Sequence, residues 1–235
     1  MHLPAAFLRG YYRTAQLRHP EILYWGEGSG RRIALTFDDG PHPRDTPRLL
    51  EVLANHTVRA TFHLVGESVE RHPDLVRQIH QCGHQLALHS YRHIPFPLET
   101  PTRLRTGLVR TQDAIGSAAG VIPASVRDIR PPYGLFTRRV LARLTAWGFR
   151  LVMWSCIPPH WMQPIGWSIR QVVEAAVPGA VIVLHDGHGH GKRVAEIVDA
   201  VVPPIRSLGF EFITVEEMQA KRIQIAHPEQ MDGAD

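Results

Sequence analysis

Two histidines four residues apart, in His89-Ser90-Tyr91-Arg92-His93, are the first candidates for chemistry. On a helical turn, imidazoles at that spacing leave the same face and can grip one metal ion. Such a pair needs a third ligand, and Asp39 offers a carboxylate. A set of two histidines and one aspartate leaves a coordination position for water, as catalytic zinc sites do. Read structurally instead, the pair is a helix start with two solvated histidines. Asp38 adjoins Asp39, and neighbouring carboxylates repel unless positive charge sits close. A divalent metal supplies that charge, so one acid can ligate while the other stays free as a base. The same acids, followed by Gly40 and Pro41, also make a turn. Both readings hold if the turn presents the acids. His84, just before an apolar run, reads as a hydrogen-bonded structural residue, and His188 and His190 as parts of a glycine-rich loop. No Gly-x-Ser-x-Gly elbow and no Gly-x-x-x-x-Gly-Lys phosphate loop occurs, so serine hydrolase and nucleotide chemistry lack support.

Something must bring these residues together. Seven short β-rich runs alternate with longer helical ones: Ile33–Phe37, Ala60–Val65, Gln85–His89, a weak one at Val126–Ile129, Arg150–Trp154, Ala180–Leu184 and Glu211–Val215. The helical segments are Thr46–Asn55, Ser68–Gln81, Thr102–Ala119, Thr137–Trp147, Ser168–Ala176 and Val194–Leu208, the last expected to break or kink at Pro203 and Pro204. Alternating strands and helices argue for parallel strands joined by right-handed crossovers. Most of the strands are continuously apolar, as strands covered on both faces are. An α/β fold follows, a closed or nearly closed β/α barrel, with an open doubly wound sheet as the alternative. In either, the strand ends share one rim. Asp38 and Asp39, His89, Arg130, Trp154 and then Trp161, and His185 all follow strands, so residues distant in sequence converge there.

The chain has 235 residues, 44% hydrophobic and 20% charged, which excludes disordered and collagen-like classes. No apolar run approaches the roughly 20 residues that span a bilayer. The net charge is 26 − 22 = +4, almost all of the positive side arginine, with no arginine block longer than a pair. Nucleic acid is therefore not expected as a partner. Two cysteines, Cys82 and Cys156, are too few for a disulfide framework and read as free thiols. The first twenty residues place arginines after a short apolar piece, the reverse of a secretory leader. That suggests a cytoplasmic location, or the cell envelope or secretion if a leader has been removed.

Four ordered stretches resemble the polysaccharide deacetylases, the group with the NodB homology domain (carbohydrate esterase family 4). They are Thr36-Phe37-Asp38-Asp39-Gly40-Pro41, His89-Ser90-Tyr91-Arg92-His93, Arg130-Pro131-Pro132-Tyr133-Gly134 and Leu184-His185. The resemblance runs from about Ile33 to Val215 and implies a distorted (β/α)7 barrel. By resemblance, Asp39, His89 and His93 bind a divalent metal, usually zinc, with cobalt as the alternative. Asp38 is the general base towards water, Arg130 holds it ionised, and His185 is the general acid for the leaving amine. The Tyr133 N–H faces the oxyanion, and Pro132, Leu184 and Trp161 line the substrate pocket. The implied reaction removes N-acetyl groups from N-acetylglucosamine-type sugars such as peptidoglycan or chitooligosaccharide. The domain reading is a packed N-terminal extension over 1–30, a catalytic domain over 31–222 and a polar tail over 223–235.

Two positions depart from the family. Its fourth motif carries Asp-x-x-Asp-Trp, and here the stretch is Ile157-Pro158-Pro159-His160-Trp161, with both acids replaced. His160 cannot raise the pKa of His185 as a carboxylate would, and Asp186 is the remaining acid near it in sequence. His63 stands where the family has phenylalanine. These changes leave two other readings open: a related metal-dependent amide or ester hydrolase, and a non-catalytic glycan-binding module.

Overall fold

The computed structural model describes residues 14–26, 30–187, 189 and 191–226. The extension read over 1–30 and the tail over 223–235 fall partly outside the described residues, as do His188 and His190. The strands are β1 (Ile22–Leu23), β2 (Arg32–Asp38), β3 (Thr61–Leu64), β4 (Gln85–Leu88), β5 (Asp128–Ile129), β6 (Arg150–Val152), β7 (Val181–His185) and β8 (Glu211–Ile213). The helices are α1 (Asp45–Asn55), α2 (Gly66–Arg71), α3 (Pro73–Gln81), α4 (Pro101–Ala119), α5 (Arg138–Ala146), α6 (Ile165–Glu174), α7 (Val194–Ser207) and α8 (Val215–Ala226).

All strand pairs are parallel, in the order β1-β6-β5-β4-β3-β2-β7. Ala34 pairs with Val181 of β7 and with Ile213 of β8, so β8 lies on the edge of β2 away from β7, below β3. Beyond β6 a single bridge, Cys156 to Ile182, reaches β7. The sheet thus curls into a distorted β/α barrel with helices outside. Seven strands were expected from the sequence; β1, a two-residue strand within the segment read as an extension, is the eighth.

Register divides the side chains between two cores, because alternate residues of a strand face opposite ways. Leu35, Phe37, Leu64, Leu88, Ile129, Leu151, Ile182 and Leu184 face the helices and join the main core. There they meet Leu49, Leu50 and Leu53 of α1 and Val198, Val201 and Val202 of α7. Each fully buried aliphatic side chain contributes roughly 1.5–3 kcal/mol. The opposite face points into the barrel, where Leu23, Ala34, Val152 and Val181 form a second, smaller cluster.

Two helices differ from the sequence reading. The run Ser68–Gln81 divides at His72, because Pro73 opens a new helix as its first residue. Conversely, α7 continues through Pro203 and Pro204. The carbonyls that lose donors there belong to Asp199 and Ala200, both exposed, so water can satisfy them.

Candidate active site

The inward face of the barrel changes character along its length. At the N-terminal end Asp128 accepts from Arg150, Gln85 and Gln219, which ties the strands to α8. The apolar cluster comes next. At the C-terminal end the same face carries Asp38, His63 and His185, which are register partners across β3, β2 and β7. His89 follows β4 and Arg130 follows β5.

The metal-type residues meet at this rim. Asp39 Oδ1 lies 3.3 Å from His89 Nε2 and 3.0 Å from His93 Nε2. One ligand atom from each residue lies within 4.8 Å of the others. The expected helical turn is not what joins the two histidines. After β4 the chain enters an irregular turn, with Ser90 at φ 70° and His93 at φ 58°. Asp39, at φ 75°, shares this left-handed region, which is uncommon for residues other than glycine. The Ser90 hydroxyl closes the turn by accepting the His93 N–H at 2.7 Å.

His89 Nδ1 lies 2.8 Å from the Arg130 carbonyl, which can only accept, so Nδ1 carries the proton. A neutral ring then turns its Nε2 lone pair towards the Asp39 carboxylate. Two acceptors facing each other require positive charge, either an imidazolium or a cation between them. The His89 pKa follows: burial pulls it down, but the charges of Asp38 and Asp39 and the bond to Asp39 raise it overall. Burial opposes ionisation of Asp39, yet His89 and His93 outweigh it and hold the carboxyl well below its usual range. An imidazole fixed by a carbonyl at its far nitrogen is the usual support of a metal ligand. The residues fit a divalent cation.

Asp38 sits beside this cluster. Arg130, fully buried, donates to Asp38 Oδ1 at 2.6 Å, to Thr36 Oγ1 at 2.8 Å and to the Met153 carbonyl at 3.0 Å. Its Nη1 also lies 3.2 Å from His63 Nδ1. A guanidinium only donates, so His63 Nδ1 accepts and the ring is neutral. Burial first, then the charges of Arg130 and His89, hold the His63 pKa well below normal. The 3.5 Å approach of His63 to Asp38 is therefore two acceptors sharing one guanidinium, not an ion pair. His63 and Thr36 thus belong to the site's frame; the period-two alignment of Thr36, Asp38, Thr61 and His63 is the sequence signal for both.

His185 ends β7, and its ring meets Trp161 edge to face at a centroid distance of 4.7 Å. His160 packs on both, and its Nε2 accepts the His185 backbone N–H at 3.0 Å. Asp186 does not take the place of the missing acid. Its carboxylate accepts from Thr46 at 2.5 Å instead, and burial, with the charges of Asp39 and Asp38, pushes its pKa up to about 7. Gly187 follows, and a Cβ there would strike the Asp39 backbone.

Pro132 is buried in the turn after β5 that carries Tyr133. The Tyr133 ring lies tilted against His93 at a centroid distance of 4.8 Å, with φ 57° and an exposed side chain. Leu184 corrects a sequence expectation. It faces the helices and is fully buried in the main core, so it does not share a face with His185. Val183, two residues before His185, does.

The family model described as polysaccharide deacetylase matches residues 26–152. A peptidoglycan-N-acetylglucosamine deacetylase of Listeria monocytogenes is 33% identical over 215 residues, 91% of this chain and 44% of that protein. The chain thus spans less than half the length of that relative. A chitooligosaccharide deacetylase of Bradyrhizobium is 34% identical over 200 residues, 80% of this chain and 90% of that protein. A solved peptidoglycan N-acetylglucosamine deacetylase superposes with a TM-score of 0.81 at 29% identity, over 87% of this chain and 95% of that one.

Proposed function

The chain belongs to the polysaccharide deacetylase family, and we propose that it hydrolyses N-acetyl groups of N-acetylglucosamine-type glycans, releasing acetate. Asp39, His89 and His93 would hold a divalent metal, zinc first and cobalt as the alternative. When bound, such an ion polarises a carbonyl and makes water more acidic. The carrying observation is the juxtaposition of this triad with Asp38, which Arg130 holds at 2.6 Å.

The chain's own residues divide the remaining work. Asp38 takes a proton from the attacking water, and Arg130 fixes its carboxylate at 2.6 Å. The new C–O bond forms as the carbonyl π pair moves onto oxygen, and the C–N bond breaks when that pair returns. His185 gives its proton to the departing nitrogen, because an unprotonated amine leaves poorly. Each proton transfer contributes roughly 10²–10⁴-fold. The Tyr133 N–H faces the developing oxyanion. Trp161 packs against His185 and, with Pro132, bounds the acetyl site; Val183 supplies the apolar contact from β7.

The test is acetate release from N-acetylglucosamine oligomers by metal-stripped protein and by protein reloaded with zinc or cobalt. Release that returns only on reloading is expected. No release from protein holding one metal per chain would overturn the proposal.

A further inference from the structure

The rim around the site is apolar in a way the reaction does not need. Among the described residues, seven large apolar side chains are more than half exposed. Five of them follow the three adjacent strands β4, β5 and β6: Leu98, Tyr133, Leu135, Met162 and Trp167, with exposures of 77%, 66%, 51%, 80% and 53%. The other two, Leu17 and Ile122, precede strands β1 and β5 and so lie towards the opposite end. Contacts join the three loops into one arc. The Tyr133 ring lies tilted against His93, and Gly134 lies close against the Trp154 ring.

The charge on this arc is one-sided. Segments 92–103, 133–139 and 157–167 hold four arginines, Arg92, Arg103, Arg138 and Arg139, and one acid, Glu99; Arg92 pairs with Glu67 of α2 at 3.0 Å, so the excess rests on Arg103, Arg138 and Arg139 against Glu99. Arg138 and Arg139 are exposed in the first turn of α5, where a helix N-terminus disfavours positive charge.

Sugars reward aromatic faces and hydrogen bonds, and gain little from exposed leucine and methionine. Aliphatic tips mixed with tryptophan, tyrosine and arginine are the composition of a surface seated at a lipid headgroup boundary. No helix among the described residues is long and apolar enough to cross a membrane, so the contact would be peripheral. We infer that this arc docks on an anionic phospholipid bilayer and opens the site towards acylated sugars anchored in it. The docking stands on the surface alone; the glycolipid substrate rests on the deacetylase reading above.

The experiment is co-sedimentation of the full chain with vesicles of phosphatidylcholine alone and of phosphatidylcholine mixed with phosphatidylglycerol. Binding to the anionic vesicles only, released by salt, is expected. The double variant Arg138→Gln/Arg139→Gln should bind on the order of thirtyfold more weakly, from about 1 kcal/mol per basic residue. Leu98→Gln/Met162→Gln should bind roughly tenfold more weakly. Both variants should keep wild-type circular dichroism and wild-type acetate release from soluble oligomers. Vesicle binding is read whether or not the protein turns over, so failure of the deacetylase reading leaves it measurable. Absent binding to anionic vesicles, or equal binding by the variants, would overturn the inference. So would variants that lose binding to insoluble peptidoglycan rather than vesicles, or that change only self-association.

Discussion

At the scale of single residues, the site differs from its family at His160 and His63, and geometry gives each a role. His160 accepts the His185 N–H, so its Nε2 must be unprotonated and the ring neutral. It cannot act as the family's acid does; it fixes the main chain of His185 instead. His160→Gln, whose amide oxygen can accept the same N–H, should keep kcat within a few fold. His160→Leu leaves a buried donor unsatisfied and should lower kcat about tenfold or more with KM little changed. Steady-state kinetics of the two variants check this. Equal rates would remove His160 from the positioning of His185. The sequence showed that an acid was missing. It could not show that Asp186 turns away to Thr46, because Asp186 lies just past the end of β7, where strand alternation no longer fixes a side chain's direction or partner.

At the scale of elements, Arg130 ties four strands together from the end of β5. It reaches Thr36 and Asp38 on β2, His63 on β3, and the Val152 and Met153 carbonyls at the end of β6. Removing it leaves Asp38 buried without its counter-charge. Arg130→Met should cost about 3–5 kcal/mol in urea unfolding, and Arg130→Lys should rescue little, because one ammonium cannot span these acceptors. His84 links β3 to β4 by accepting the Ala60 N–H at 3.2 Å, and burial, then Arg59, pull its pKa down to about 4. The unfolded chain therefore binds this proton first. His84 contributes stability fully above pH 6.5, and that contribution falls as pH drops towards 4, by up to roughly 3 kcal/mol. His84→Gln should flatten the pH dependence in that window; an unchanged slope would contradict the assignment. Several element boundaries were legible in single residues. Pro73 marks a helix start and Pro203 and Pro204 argue against a continuous helix, yet only tertiary context shows which rule wins. The left-handed turn from Ser90 to His93 was hidden, since His-x-x-x-His spacing fits a helix equally well. The alternation of Val183 and Leu184 was readable: Val183 shares the face of His185, and Leu184 faces the helices.

At the scale of the whole molecule, the barrel interior is graded. A polar layer around Asp128 closes one end, an apolar plug fills the middle, and the titratable groups gather at the other end. Convergence at the strand ends was the part of the site most legible in the sequence, because parallel topology forces it whatever the loops do. In the proposed reaction, metal binding and turnover would rest on different residues of one rim. The most direct measurement compares metal content and acetate release in the wild type, Asp38→Asn and His89→Ala. The wild type should bind one divalent metal and turn over. Asp38→Asn should keep the metal and lose at least 10²-fold in kcat, and His89→Ala should lose the metal. An Asp38→Asn variant that turns over at the wild-type rate, or a His89→Ala variant that still holds its metal tightly, would contradict the account.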